Sequence, residues 1–231
     1  TMIRAAAKNN KFVSVLTNPE QYAPFLEEVK TGSIGYETRK KLAIAAFAHT
    51  ADYDSYIVNS LQPKMNLTSN YFNRSFKLAS SLRYGENPHQ QAGVYGDFSS
   101  NFEFIHGKEL SYNNILDLVS AVELVESLGE NSCSIIKHNN PAGAAIGKDS
   151  LDAYIKALKC DPVSSFGGIV AFTSVVDEKL AEKLNEIFLE VVCAPEYTEG
   201  AISILKKKKD RRLLKQIKSI SNEKVSFRSI P

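Results

Sequence analysis

Tryptophan is absent from the 231 residues, methionine occurs twice and cysteine three times. No apolar run approaches the roughly 18 residues that span a bilayer, because acids interrupt the greasiest stretch, residues 115–128. No membrane partner is expected. The cysteines, Cys133, Cys160 and Cys193, are odd in number and far apart, which excludes a disulfide framework and a paired zinc-ligand pattern and points to a reducing cytoplasm. The opening Thr1-Met2-Ile3-Arg4 lacks a basic-then-apolar leader. Neither a phosphate loop nor a G-x-G-x-x-G turn occurs. An excess of one charge is lacking too: the net charge is +2, and the run KKKKDRR at 206–212 carries +5, leaving the remainder at −3. Bases gathered in one run, without interleaved aromatics, do not suit nucleic-acid binding. The run reads as a solvated helix end or loop.

What is present is an ordinary folded composition, 43% hydrophobic and 23% charged, long enough for one large domain or two modest ones. Residues 13–16 (Val-Ser-Val-Leu) read as a short strand, Thr17-Asn18-Pro19 as a turn, and a helix follows to about Val29. Leu42, Ala45, His49, Tyr53 and Tyr56 recur at helical spacing and predict a second, longer helix over 37–57. Residues 62–73, rich in Pro, Asn, Ser and Thr, look like an interdomain connection, which places a boundary near residue 66. Beyond it, strand-type runs at 102–105, 133–136, 169–172 and 191–193 alternate with helical patterns at 114–128, 150–158 and 177–188. This alternation predicts an α/β layered domain for 67–231, preceded by an incomplete α/β piece over 1–66.

Three segments concentrate chemistry. In Ser134-Ile135-Ile136-Lys137-His138-Asn139-Asn140-Pro141-Ala142-Gly143 an apolar strand runs into a lysine and a histidine, at the carboxyl end where open α/β sheets bind ligands. Neighbours on a strand face opposite ways, so the chain must turn there for the pair to serve one substrate; Asn, Pro and Gly supply the turn. Imidazole titrates near neutrality and accepts a proton from an amine, while a desolvated lysine donates one or stabilises negative charge. A solvated lysine and a structural histidine fit the pattern equally well. The second segment, Leu82-Arg83-Tyr84-Gly85-Glu86-Asn87-Pro88-His89-Gln90, offers a guanidinium for a phosphate or simply a polar surface loop. The third, Asp161 to Gly168, permits close backbone approach at its two glycines or forms a tight turn. Near the start, Arg4 and Lys8 share one face if helical and reach an anion or face water.

Taken in order, RAAAKN at 4–9, FAHTADYD at 47–54, LRYGENPHQ at 82–90, IKHNNPAG at 136–143, SSFGG at 164–168 and APEYTEGAISILKKKK at 194–209 resemble the bifunctional purine-biosynthesis family. That family joins an inosine monophosphate (IMP) cyclohydrolase to an aminoimidazole carboxamide ribonucleotide (AICAR) formyltransferase. The resemblance implies a methylglyoxal-synthase-like cyclohydrolase piece followed by a cytidine-deaminase-like transformylase piece. The implied chemistry is formyl transfer from 10-formyltetrahydrofolate, a cosubstrate, to the 5-amino group of AICAR, with closure of the product, FAICAR, to IMP. It further implies that His138 accepts the amine proton, that Lys137 assists at the leaving folate nitrogen or formyl oxygen, and that Arg83 and Tyr84 meet the nucleotide phosphate. Asn114 would help fix the substrate, Gly167 would lie near the base, and Arg4, Lys8 and Asn9 would belong to the cyclohydrolase site. No catalytic metal is implied. The zinc signature of the deaminases, H-x-E with P-C-x-x-C, is absent from this sequence.

A cytoplasmic homodimer whose transformylase site borrows residues across the interface is also expected from the likeness. The sequence departs from many relatives at Ala142, where they carry Cys, and from some at Gly168, where they carry Asp. Relatives continue before RAAAKN and after residue 231, so the chain reads as a middle piece. The alternative to turnover is a non-catalytic nucleotide-binding or assembly fragment of the same enzyme.

Overall fold

The structure, a computed structural model, describes residues 1–220. The chain divides into two compact units, Thr1–Lys77 and Leu78–Pro231.

In the first unit the described elements are helical: α1 (Met2–Lys8), a 3-10 turn at Pro19–Gln21, α2 (Tyr22–Lys30) and α3 (Tyr36–Met65). Asn18 starts the 3-10 turn by accepting from Glu20 N, with Pro19 as its first residue. The strand expected at 13–16 does not form; those residues carry no regular secondary structure and pair with no strand. Strand propensity without a partner ladder leaves a loop. α1 packs on α3 through Ala7, Ala43 and Ala46, with Ile3, Val15 and Phe47 around them. The buried stripe of α3 is therefore Leu42, Ala43 and Ala46, while Tyr53 and Tyr56 of the expected periodic set are exposed. The helix also runs eight residues past its expected end, into the stretch that reads as a linker. Pro63 lies in its final turns, and Asn66 closes it in the left-handed region at φ 52°.

The second unit begins with a hairpin, β1 (Leu78–Leu82) and β2 (Ala92–Tyr95). After α4 (Phe98–Asn101) comes a six-stranded mixed sheet of β3 (Phe102–His106), β4 (Ser132–Lys137), β5 (Asn140–Ile146), β6 (Ile169–Phe172), β7 (Val191–Ala194) and β8 (Arg212–Gln216). Its spatial order is β3-β8-β7-β6-β4-β5; β6, β7 and β8 run parallel, and β3, β4 and β5 join antiparallel. Helix α5 (Tyr112–Leu128) covers one face through Leu118, Ala121, Val122 and Val125 against Ile136, Ile169, Ala171, Val191, Cys193 and Leu214. Helices α6 (Ser150–Cys160), α7 (Glu178–Leu184) and α8 (Glu199–Leu205) cover the other, against Cys133, Ile135, Val170, Phe172, Val192 and Leu213. Burial on both faces is why these strands read as continuous apolar runs rather than as alternating ones. Ser111, Asp149, Asp177 and Thr198 cap α5 to α8 in turn.

Four strands escaped the sequence pattern: both strands of the β1–β2 hairpin and, in the six-stranded sheet, β5 and β8. In the sheet, the first of these is β5. Asn140–Ile146 holds a proline and a glycine, yet Pro141 lies on an edge strand, where a missing N–H is harmless. Gly143 is needed there, since a Cβ would sit 2.0 Å from Ala157 O of α6. The other, β8, begins inside the basic run. Lys206 to Lys209 are exposed as expected, but Arg211 is 1% exposed. Its guanidinium donates to the carbonyls of Leu184, Ile187 and Leu189 at 3.3–3.4 Å and to Asn185 Oδ1. One member of the run is thus an interior clamp on the end of α7.

Candidate functional site

The expected turn is a two-residue hairpin. Lys137 pairs with Asn140, and the intervening His138 and Asn139 both adopt left-handed backbone, at φ 52° and 57°. This is the φ requirement of a type I′ connection, one that His and Asn tolerate better than most side chains. Asp117 of α5 fixes it: its carboxylate accepts from His138 N at 3.1 Å and from Asn139 N at 2.7 Å. Ser120 Oγ donates to Asn139 Oδ1 at 2.5 Å, and Asn140 Nδ2 to His138 O at 2.9 Å. The backbone of His138 is therefore held while its imidazole stays exposed.

Lys137 is half-buried and donates to Phe166 O at 2.7 Å, which joins the Lys-His turn to the Asp161–Gly168 segment. Gly167, at φ 77°, donates to Phe188 O at 2.8 Å and needs its glycine for the backbone angle. In the same segment Asp161 is held below the ordinary carboxyl value, first by the Ser164 hydroxyl and N–H and, more weakly, by the charge of Lys137.

Neighbouring strands bring this end of the sheet together. Ile136, Ile169, Val191 and Arg212 are successive register partners across β4, β6, β7 and β8. Lys137 lies at the carboxyl end of β4, but the three parallel strands meet it with their amino ends, because β4 is antiparallel to β6. The placement by strand ends thus holds for β4 alone.

Asn114 is 6% exposed and engaged inside the fold. Its Oδ1 accepts from Ser111 N at 3.1 Å, completing a capping box, and its Nδ2 donates to Glu190 Oε2 at 2.9 Å. Ser111, Asn114, Asp117 and Ser120 form one stripe at three-residue spacing along α5, and the last three serve this end of the sheet. Sequence reading missed Asp117 and Ser120. Their signal was there: polar groups recurring every three residues from Ser111 to Ser120.

Arg83 and Tyr84 lie elsewhere in the unit, on a cavity of about 850 Å³. Leu82, Val94, Phe98, Phe104, Leu110 and Ile115 give it apolar walls; Arg83, Lys108 and Arg212 give it cations, and Glu109 an acid. Arg83 is exposed, stacks over Tyr84 at 5.9 Å, and has no hydrogen-bond or ion-pair partner among the described residues. Lys137, His138, Asn114 and Gly167 are not among the cavity's lining. In the first unit, Arg4 and Lys8 line a second cavity, of about 610 Å³, with Thr50, Tyr53 and Asp54 of α3. Arg4 also sits 5.5 Å over the Phe47 ring, whereas Asn9 caps the end of α1 and does not line the cavity. Among the described residues no cluster of His, Cys, Asp and Glu is arranged to hold a metal ion. No helix of these residues is long and apolar enough to cross a membrane.

Fold and site together define a layered α/β domain with a fixed lysine–histidine turn and a separate, cation-lined cavity. Residues 6–231 match the model of the AICARFT/IMPCHase bienzyme family, and the chain belongs to that family. It is 50% identical over 228 residues to the bifunctional purine biosynthesis protein PurH of Prochlorococcus marinus subsp. pastoris, covering 93% of this chain and 44% of that protein. The proteins of the same name from Persephonella marina and Caldicellulosiruptor saccharolyticus are each 47% identical over 226 residues, with the same coverage. The chain spans somewhat less than half the length of these relatives.

Proposed function

We propose that this chain supplies the Lys137–His138 centre of an AICAR formyltransferase and part of an IMP cyclohydrolase, acting in purine biosynthesis in the cytoplasm. The observation that carries the reading is the turn itself. A histidine and a lysine, adjacent in sequence, are presented from a hairpin tip whose backbone Asp117 pins, with the lysine tied to the Phe166–Gly167 peptide. Family membership supplies the substrates, 10-formyltetrahydrofolate and AICAR.

In this reading the 5-amino nitrogen of AICAR attacks the formyl carbon and loses its proton to His138. The carbon–nitrogen bond to the folate then breaks, and Lys137 protonates the departing nitrogen or steadies charge on the formyl oxygen. Arg83 and Tyr84 take the phosphate in the 850 Å³ cavity. Gly167 borders the base. Asn114 contributes to substrate fixing, and its engaged side chain favours doing so through its neighbours. Arg4, Lys8 and Asn9 belong to the cyclohydrolase part, where the 610 Å³ cavity supports a role for the first two. The methylglyoxal-synthase-like and cytidine-deaminase-like affinities of the two units, and a homodimeric assembly, form part of the same proposal.

The test is formyl transfer by the complete protein that carries this sequence, followed as tetrahydrofolate release with AICAR present. Lys137→Ala and His138→Ala are each expected to slow it by about 10²-fold or more. Near-unchanged rates in both would end the assignment.

A further inference from the structure

Arg212 is the best-placed charged residue that the reading above does not use. As the first residue of β8 it shares a register row with Ile169 and Val191, whose side chains pack on the α5 face. Arg212 therefore projects toward α5. Its side chain is 14% exposed, yet it lines the same cavity as Arg83.

Two contacts aim it. Nε donates to Glu109 O at 2.9 Å, and Nη1 stands 3.9 Å from Glu190 Oε2. That same oxygen accepts from Asn114 Nδ2 at 2.9 Å. Asn114 is in turn locked by its capping bond to Ser111 N. The Nη groups of Arg212 make no hydrogen bond among the described residues, so a pre-oriented fork of donors borders the cavity. Lys108, by comparison, is tied to Asp210 at 3.0 Å in a largely exposed pair.

We propose, on the strength of the nucleotide reading above, that Arg212 is a second anion-binding residue of the Arg83 cavity, and that Asn114 is a positioning residue acting through Glu190 to aim it. The ligand class is a phosphorylated molecule with a planar, weakly polar body. The cationic fork takes the phosphate, and the walls formed by Phe98, Phe104, Leu110 and Ile115 take the body. Three strand spacings, about 14 Å, separate the β8 backbone at Arg212 from β4, which carries Lys137. The Arg212 cavity and the Lys137 turn, though separate, thus lie at the same end of the sheet.

The experiment is calorimetric titration of AICAR into the full chain and its variants, with thermal unfolding run on each. Arg212→Leu is expected to weaken binding about tenfold or more, and Arg212→Lys to restore part of it. The positioning role is read from a double-mutant cycle. Asn114→Ala should weaken binding in the wild-type background and change nothing in the Arg212→Leu background. Where Asn114→Ala fails to fold, Glu190→Ala, at a residue with a side chain 41% exposed, interrupts the same link. If Arg212→Leu binds as tightly as the wild type while Arg83→Leu does not, Arg212 is no ligand contact and the nucleotide reading stands. An Asn114 effect that persists without Arg212 overturns the positioning role. Absence of AICAR binding to the unsubstituted chain overturns the inference together with the reading beneath it.

Discussion

Asp117→Ala perturbs the site without touching either side chain of the proposed centre, Lys137 or His138. The substitution removes the acceptor for His138 N at 3.1 Å and Asn139 N at 2.7 Å, two charge-assisted bonds on a half-buried carboxylate. Such bonds contribute roughly 1.5–3 kcal/mol each when shielded, and discounting for solvent leaves a loss of about 1–2 kcal/mol for the pair. The bonds also offset backbone strain, since His138 and Asn139 both occupy the left-handed region. Released, the turn samples other geometries, and misplacement of a reacting group by about 1 Å can cost roughly 10²-fold in rate. The assay is formyl transfer alongside urea unfolding. A small stability loss with a rate loss several times larger than that loss alone would give is expected. Asn139→Gly supplies the control: glycine at the second turn position favours a type I′ hairpin, so it should soften the Asp117→Ala effect on both readouts. A rate within twofold of wild type for Asp117→Ala would refute the idea that this carboxylate holds the site.

Four further outcomes follow from the packing. Arg211→Met removes the donor to the carbonyls of Leu184, Ile187 and Leu189, the first and last in buried bonds, and should cost about 3 kcal/mol or more, read from the urea midpoint; a loss under about 1 kcal/mol would mean the clamp contributes little. Tyr154→Phe should leave stability equal or raise it by about 1 kcal/mol, because the Tyr154 hydroxyl is buried with no partner among the described residues; a clear loss would reveal one. Asp161, with its carboxyl held below 3.8, stabilises the fold above that value, and the contribution is lost as pH falls through its lower folded value. Carbon-13 titration of Asp161 should show this midpoint, with Lys137→Met moving it upward; a midpoint at or above 3.8 contradicts the geometry. Burial pushes the Cys133 and Cys193 thiols up, so a thiol reagent should modify only exposed Cys160 in the native chain and all three after unfolding.

Residues 169–172 form a strand in the structure as the sequence pattern predicts, because four apolar residues bounded by Gly168 and Thr173 have few alternatives when both faces are covered. Asn140–Ile146 was not legible. Its Pro and Gly are turn residues by local preference, and what makes them a strand is tertiary: an edge position and the close approach of α6. The same division runs through the site. Lys137 and His138 stand out by residue type, and the need for a turn between them follows from strand geometry. Asp117, which holds that turn, is separated from it by about twenty residues and looks like any other acid of α5, such as Glu123 or Glu126, until the helix is laid on the sheet. Arg212 ends a run whose lysines are solvated, and only the pairing of β8 with β7 sends it to the α5 face.

In the proposed function the His138 turn meets the nucleotide. Carbon-13 labelling of the four histidines, His49, His89, His106 and His138, allows the imidazoles to be followed as AICAR is added. The His138 signal is expected to shift in step with binding. Saturating AICAR with an unmoved His138 signal would contradict that function.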